Sequence, residues 1–179
     1  MMAMEVIVVG SGPAGCFFSS KLPCDVKVHL FERYQNPHIK PCGGLLVEES
    51  WHFLEKNNVQ IPSQVLSNPS HSDLRYIDLD NGFNLFYPKK LVNVSRFKFD
   101  EWLWNEAIKH ENIIFHPEST VIKVQRGEKP AALIRNKNDE KWFEADYIVG
   151  ADGASSSVRK SITPIKATQY LAMQEPIAT

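Results

Sequence analysis

The residues of this chain with the clearest chemical capacity sit near its start, in Gly10-Ser11-Gly12-Pro13-Ala14-Gly15, and 22 positions past Gly10, at Glu32. A glycine-rich turn bares backbone N–H groups that can close on a pyrophosphate. Gly10 permits the tight turn, Gly12 brings the amides close to the phosphates, and Gly15 lets the next helix pack tightly. The helix start at Pro13 adds orphan N–H groups and about half a positive charge, which suit an anion. Glu32 brings a carboxylate that can accept hydrogen bonds from a ribose diol, and its charge disfavours a ribose bearing a 2′-phosphate. Together these groups are spaced to grip the two ends of an ADP group. The turn alone is a weak signal. It gains meaning because it follows a strand, opens a helix and precedes an acid at the end of the next strand. A second stretch, Asp152-Gly153 followed by three serines and Arg159, reads by itself as an exposed turn whose serines cap a helix.

Those groups need a β-α-β frame. Residues 6–9 (VIVV) read as a buried strand and 13–22 as a short helix with Pro13 in its first turn, where no donor is lost. Pro23 ends that helix, and 26–31 (VKVHLF) alternates as a second strand. Residues 45–56 carry Val47, Trp51 and Leu54 at helical spacing, and 57–73 read as a connection. In LRYIDLDNGFNLFYP, Asn81-Gly82 signals a hairpin with a type I′ turn, which needs positive φ at both central residues. Ser95 is placed to cap a helix over 96–110 with Phe99, Leu103 and Ala107 on one face. The WLW triplet at 102–104 points three ways on that helix, so ordinary packing with one exposed indole is expected. NIIFH, TVIKVQ, AALIRN and KWFEADYIVG are four strand candidates, the last three forming an antiparallel meander. The expected organisation is one α/β nucleotide-binding domain, with the hairpin around Asn81 in a second, incomplete layer.

The bulk composition removes several function classes. The chain has 179 residues, enough for one domain, with 43% hydrophobic and 23% charged residues, the profile of ordinary globular protein. Its net charge of −1 leaves no positive excess to neutralise a nucleic-acid backbone. Cys16, Cys24 and Cys42 are odd in number and form no CxxC pair, which points to a reducing cytoplasm rather than a disulfide framework. No apolar run nears the ~18 residues of a membrane span, and no signal peptide precedes Val6, so a cytoplasmic location is expected, with contact to a membrane surface left open. GxSxG, HExxH and paired Cys/His spacings are absent from the sequence, and its six histidines are scattered, so no metal site is expected.

The leading GxGxxG, Glu32-Arg33 and the stretch ADGASSSVR together resemble the flavoprotein hydroxylase superfamily that includes para-hydroxybenzoate hydroxylase. Within it, KPCGGLL at 40–46 and VSRFKFDEWL at 94–103 are most similar to the geranylgeranyl reductase family. The resemblance covers nearly the whole chain apart from 57–73. It implies a Rossmann-like FAD-binding domain of the glutathione-reductase type with a β-meander, plus part of an antiparallel substrate-domain sheet. The implied domain limits are 1–72 with 92–163 for the cofactor, and 73–91 with 164–179 for the substrate. It implies FAD as the bound cofactor and NAD(P)H as electron donor. Gly10, Gly12, Pro13, Ala14 and Gly15 are then assigned to the pyrophosphate, Glu32 to the adenosine ribose and Arg33 to the adenine side. Arg96 is assigned to the phosphate or ribityl region, its plain alternative being an ion pair with Asp100, and Val121 to adenine through its backbone. Asp152 and Gly153 are assigned to the pyrophosphate and the donor's path. Cys42, Gly43 and Gly44 are assigned to the isoalloxazine side, where Cys42 is the one catalytic candidate; its alternative is a small buried apolar residue.

The function implied is reduction of carbon–carbon double bonds in an isoprenoid or lipid, with an apolar small molecule as substrate. The runner-up is an aromatic-ring hydroxylase using NAD(P)H and oxygen. Members of the family continue for a comparable length beyond residue 179. That leaves a third reading open, in which the chain is an inactive nucleotide-binding fragment or one half of a split protein whose C-terminal half is supplied separately.

Overall fold

The computed structural model describes residues 4–35, 38–137, 139–165 and 168, 170, 171, 173 and 175. In chain order the first elements are β1 (Glu5–Val9), α1 (Pro13–Ser20), β2 (Lys27–Phe31), β3 (Leu45–Leu46) and α2 (Glu48–Lys56). Then come β4 (Leu66–Asp78), β5 (Phe83–Val94), α3 (Arg96–Ile108), β6 (Ile113–His116), β7 (Ser119–Gln125) and β8 (Ala131–Asn136). The last are β9 (Asp139–Glu144), β10 (Tyr147–Gly150) and α4 (Ser157–Ile162). Contacts divide the chain into two units, Met1–His38 with Asp100–Met173, and a second built on Ile39–Phe99. Those limits differ from the sequence-based ones because β3 hydrogen-bonds to β5, and Trp51 of α2 donates its indole N–H to the Lys90 carbonyl at 3.2 Å.

The first unit holds a parallel sheet in the order β10-β1-β2-β6. Parallel strands covered on both faces read as continuous apolar runs, and Val6, Ile7, Val8 and Val9 are all buried. Alternate side chains take opposite faces. Ile7, Val9 and Phe31 enter one core with Val121, Val124, Ala132, Ile134, Ala145 and Val158. That core lies beneath the antiparallel meander β7-β8-β9. Val6, Val8, Val28 and Leu30 are buried on the opposite side, where α1 packs on β1 and β2. On α3, Leu103 and Ala107 are buried as the spacing predicts, and Trp104 meets Phe115 edge to face at 5.5 Å. Neither indole of the WLW triplet is exposed: Trp102 and Trp104 are both half-buried.

One expectation for this unit needs correction. KWFEADYIVG is two strands, not one. Its first part closes the meander as β9, and its second joins the parallel sheet beside β1 as β10. The break falls at Asp146, whose N–H donates to the Glu5 carbonyl at 2.9 Å and whose carboxylate accepts from the Glu5 N–H at 2.7 Å. Helix α1 also ends earlier than expected, because the Lys21 N–H turns back to the Phe18 carbonyl.

The second unit is a three-stranded antiparallel sheet, β3-β5-β4, with α2. Residues 45–56 are not one helix: Leu45 and Leu46 pair with Asn93 and Val92, and α2 starts after extended Val47. The expected connection over 57–73 includes the first half of β4. The strand tolerates Pro69 because β4 lies at the sheet edge and its pairing shifts register between Leu66 and His71. The hairpin turn also differs. Four residues, 79–82, link the strands, and of these only Gly82 has positive φ, so the turn is not type I′. Asp78 shapes it instead, its carboxylate accepting from the N–H groups of Asp80 and Asn81 at 3.1 and 3.0 Å.

Two scattered histidines meet in the first unit. His29 Nδ1 and His116 Nε2 are 3.0 Å apart, and the His116 ring stacks on Phe31 at 4.4 Å. Burial holds both imidazoles below their ordinary value of 6.5; Lys27 lowers His29 further against an opposing pull from Glu5, and His29 lowers His116. The folded state therefore binds fewer protons than the unfolded chain just below pH 6.5. The stability that the two neutral imidazoles contribute is full above that value and is lost as pH falls through the window down to their folded values. Thermal melting should show a falling Tm from pH 7.5 to about 5.5, and His116→Phe, which keeps the stack without the proton site, should flatten that fall.

Candidate functional site

Strand β1 ends at Val9, and the chain turns sharply at Gly10, whose N–H donates to the Phe31 carbonyl at 2.8 Å. Gly10 has φ +97, and a Cβ there would lie 2.5 Å from the Ala151 carbonyl oxygen and 3.0 Å from Asp152 Cα. The turn thus needs glycine twice over, for its left-handed backbone and for the close approach of the segment after β10. Gly15 is fixed by a different contact: a Cβ there would strike the Gly10 carbonyl oxygen. Gly12 is the N-cap of α1 and gives it no side-chain cap, and no acidic residue stands in the first turn. The first intrahelical hydrogen bond runs from the Cys16 N–H to the Gly12 carbonyl at 3.0 Å. The amides of Ala14 and Gly15 come before it, and Pro13 has no donor to satisfy. The turn therefore offers backbone donors and the positive end of a helix to an anion.

Glu32 follows β2 directly and is only 6% exposed. Its carboxylate faces the glycine turn. Oε2 accepts from the Ser11 N–H at 2.9 Å and from the Ser11 hydroxyl at 3.0 Å, while Oε1 accepts from the Tyr34 N–H at 3.2 Å. A buried carboxylate requires such donors. The Glu32 backbone also ties in the meander, since its carbonyl accepts from the Ser119 N–H at 2.8 Å. Two residues further on, Val121 sends its side chain into the core and reaches a shift of register in β7. Arg33 lies over the Tyr34 ring at 4.8 Å, and Tyr34 meets His38 at 4.4 Å.

The chain's two distant motifs converge here. Asp152 lies against Gly10 in space, 142 positions away in sequence. Its carboxylate caps α4, accepting from the Ser157 N–H at 2.6 Å, the Val158 N–H at 3.3 Å and the Ser156 hydroxyl. Ser156 completes the cap by accepting from the Arg159 N–H at 2.9 Å. Gly153 follows with φ +78.

Cys42, Gly43, Gly44 and Arg96 belong to the second unit. The Cys42 sulfur is half-buried and accepts from the Gly44 N–H at 3.4 Å. Gly44 is required by its own chain, because a Cβ would strike the Val94 carbonyl oxygen, whereas Gly43 has open space around its Cα. Arg96 is the first residue of α3.

Sequence reading missed Ser11, Tyr34 and the imidazole pair. Ser11 and Glu32 are 21 positions apart, and a serine between two glycines carries no signal of what its hydroxyl meets. The donor set fits an ADP-containing cofactor: uncapped helix amides at one end, a seated carboxylate at the other.

Comparison with known proteins agrees. A family model described as "FAD binding domain" matches residues 3–173. "Protein CbrA" of Shigella sonnei (strain Ss046) is 28% identical over 182 residues, covering 98% of this chain and 51% of that protein. The chain thus spans about half the length of the curated relatives it matches. Among solved structures, p-nitrophenol 4-monooxygenase PnpA from Pseudomonas putida DLL-E4 gives a TM-score of 0.70 at 19% identity, over 90% of this chain and 44% of that one. A geranylgeranyl bacteriochlorophyll reductase-like protein from Thermoplasma acidophilum gives 0.66 at 22% identity, over 83% and 39%. Both likenesses are of fold.

The contacts of the two glycines rank their substitutions. Gly15→Ala should destabilise the first unit by roughly 1–3 kcal/mol through overpacking against the turn, and abolish binding of ADP. Gly43→Ala should stay within about 0.5 kcal/mol. Thermal melting and calorimetric titration with ADP check both; a Gly15→Ala chain that binds ADP as the wild type does would contradict the tight packing of the turn.

Proposed function

The chain belongs to the FAD binding domain family, and from that premise we propose that it is the cofactor-holding part of an FAD-dependent oxidoreductase that reduces carbon–carbon double bonds of an isoprenoid or lipid substrate. The observation that carries the reading is the Glu32 carboxylate, seated by Ser11 and Tyr34 beside the uncapped start of α1. The amides of the turn and of Ala14 and Gly15 take the pyrophosphate, with Gly10, Gly12 and Pro13 shaping their approach. Glu32 takes the ribose, and Arg33 and the Val121 backbone flank the adenine. Asp152 and Gly153 hold α4 at the phosphate end, and Cys42, Gly43, Gly44 and Arg96 serve the flavin side. When bound, FAD supplies hydride transfer, while the chain binds and orients it. NAD(P)H is the proposed electron donor.

The isoprenoid substrate is supported by the KPCGGLL and VSRFKFDEWL stretches and by the fold likeness to the geranylgeranyl bacteriochlorophyll reductase-like protein. It is further supported by the hairpin of the second unit, where register and alternation put Leu74, Tyr76, Phe83, Leu85 and Tyr87 on one face. Of these, Leu74, Tyr76, Phe83 and Tyr87 are exposed. Such a face suits an apolar chain or a membrane surface carrying one. A second reading, an aromatic-ring hydroxylase using NAD(P)H and oxygen, is favoured by the likeness to p-nitrophenol 4-monooxygenase.

The purified chain should be yellow and release FAD on denaturation; a colourless protein that takes up no FAD on reconstitution contradicts the cofactor assignment. With FAD bound, anaerobic saturation of a prenyl chain supports the reductase. Oxygen-dependent NAD(P)H consumption on adding a phenol supports the hydroxylase instead.

A further inference from the structure

We propose that Ser11 is a positioning residue for ribose recognition, setting the Glu32 carboxylate so that the turn selects nucleotides with an unmodified ribose diol. The proposal rests on reading the glycine turn as the seat of an ADP group. Ser11 is 3% exposed, and its peptide is held from several sides. Its N–H and hydroxyl both donate to Glu32 Oε2, at 2.9 and 3.0 Å, and its carbonyl accepts from the Cys16 thiol at 3.0 Å. A carboxylate has about four acceptor positions, two on each oxygen. Ser11 fills both on Oε2, and Tyr34 fills one on Oε1 at 3.2 Å. Among the described residues nothing else donates to Glu32, so the remaining acceptor is on Oε1. With Oε2 anchored twice, the plane of the carboxylate cannot rotate, and Oε1 keeps one fixed direction for an incoming ribose hydroxyl. Without the serine hydroxyl the carboxylate keeps one bond on Oε2 from the Ser11 N–H and the longer one on Oε1 from the Tyr34 N–H, a looser seat in which Oε1 loses its fixed direction. Ser11 itself need not touch the nucleotide, which separates its role from that of the amides around it.

Calorimetric titration of the full 179-residue chain with ADP and 2′-deoxy-ADP tests this. The wild type should prefer ADP. Ser11→Ala should weaken ADP about tenfold while changing 2′-deoxy-ADP by less than about twofold, so that the preference collapses. In a Glu32→Gln background, Ser11→Ala should then alter ADP binding by less than about twofold, because the group it positions is gone. Glu32→Asp, which keeps the charge but cannot reach Ser11, should lose the preference as Ser11→Ala does, and it decides the matter should Ser11→Ala not fold. Equal weakening of both nucleotides by Ser11→Ala, independent effects of the two substitutions, or a preserved preference in Glu32→Asp overturns the proposal alone. A correctly folded wild-type chain that binds no ADP overturns the reading of the turn, and this proposal with it.

Discussion

A buried carboxylate bonded across a strand boundary organises this molecule. Glu32 reaches Ser11 only because β1 and β2 are adjacent parallel strands in one register, with Val9 opposite Phe31. Parallel pairing brings both C-terminal ends to the same edge of the sheet, so the turn leaving β1 and the residue ending β2 arrive together. The acid is removed from water, and three donors compensate it. Any slip of β2 by one residue would turn Glu32 to the other face of the sheet and leave a charge without partners.

The two faces of the parallel sheet divide the labour. Beneath the meander, Ile7, Val9 and Phe31 make the core that fixes strand position. On the other face, Cys16 and Ser19 of α1 are buried, and small residues let the helix settle with its N-terminus at the turn. Asp152 serves both ends of this arrangement. Its backbone closes against Gly10, and its side chain caps α4, whose Val158 belongs to the core under the meander. Residues that the sequence presents as a binding motif are thus also structural, and no choice between the two roles is forced.

Much of the first unit was legible because its signals are local. The valine run, the glycine turn and the acid at the end of β2 each follow from steric or charge rules that act within a few residues. What stayed hidden depends on partners far along the chain. Residues 66–73 look like a loop because Asn68, Pro69 and Ser70 break any periodicity, and only the register with Val92 and Val94 makes them a strand. The hairpin turn misleads for the opposite reason. Asn81-Gly82 is a strong local signal, yet Asp78 offers acceptors to the backbone of Asp80 and Asn81, and that local competition decides the conformation. For the candidate site, the glycines and Glu32 were readable, whereas the seat that holds Glu32 was not, since a hydroxyl declares its partner only in three dimensions.

The placing of β1 between β2 and β10 bears on how the chain matures as it leaves the ribosome. Its first neighbour is made some twenty residues later, but its second emerges only after the hairpin, α3 and the whole meander have been synthesised. Long-range pairing of this kind is slow, and until β10 arrives one side of the central strand stays unsatisfied. The glycine turn closes against the Ala151 carbonyl, so its final surroundings are among the last features of this unit to assemble, although its own residues are among the first to be translated.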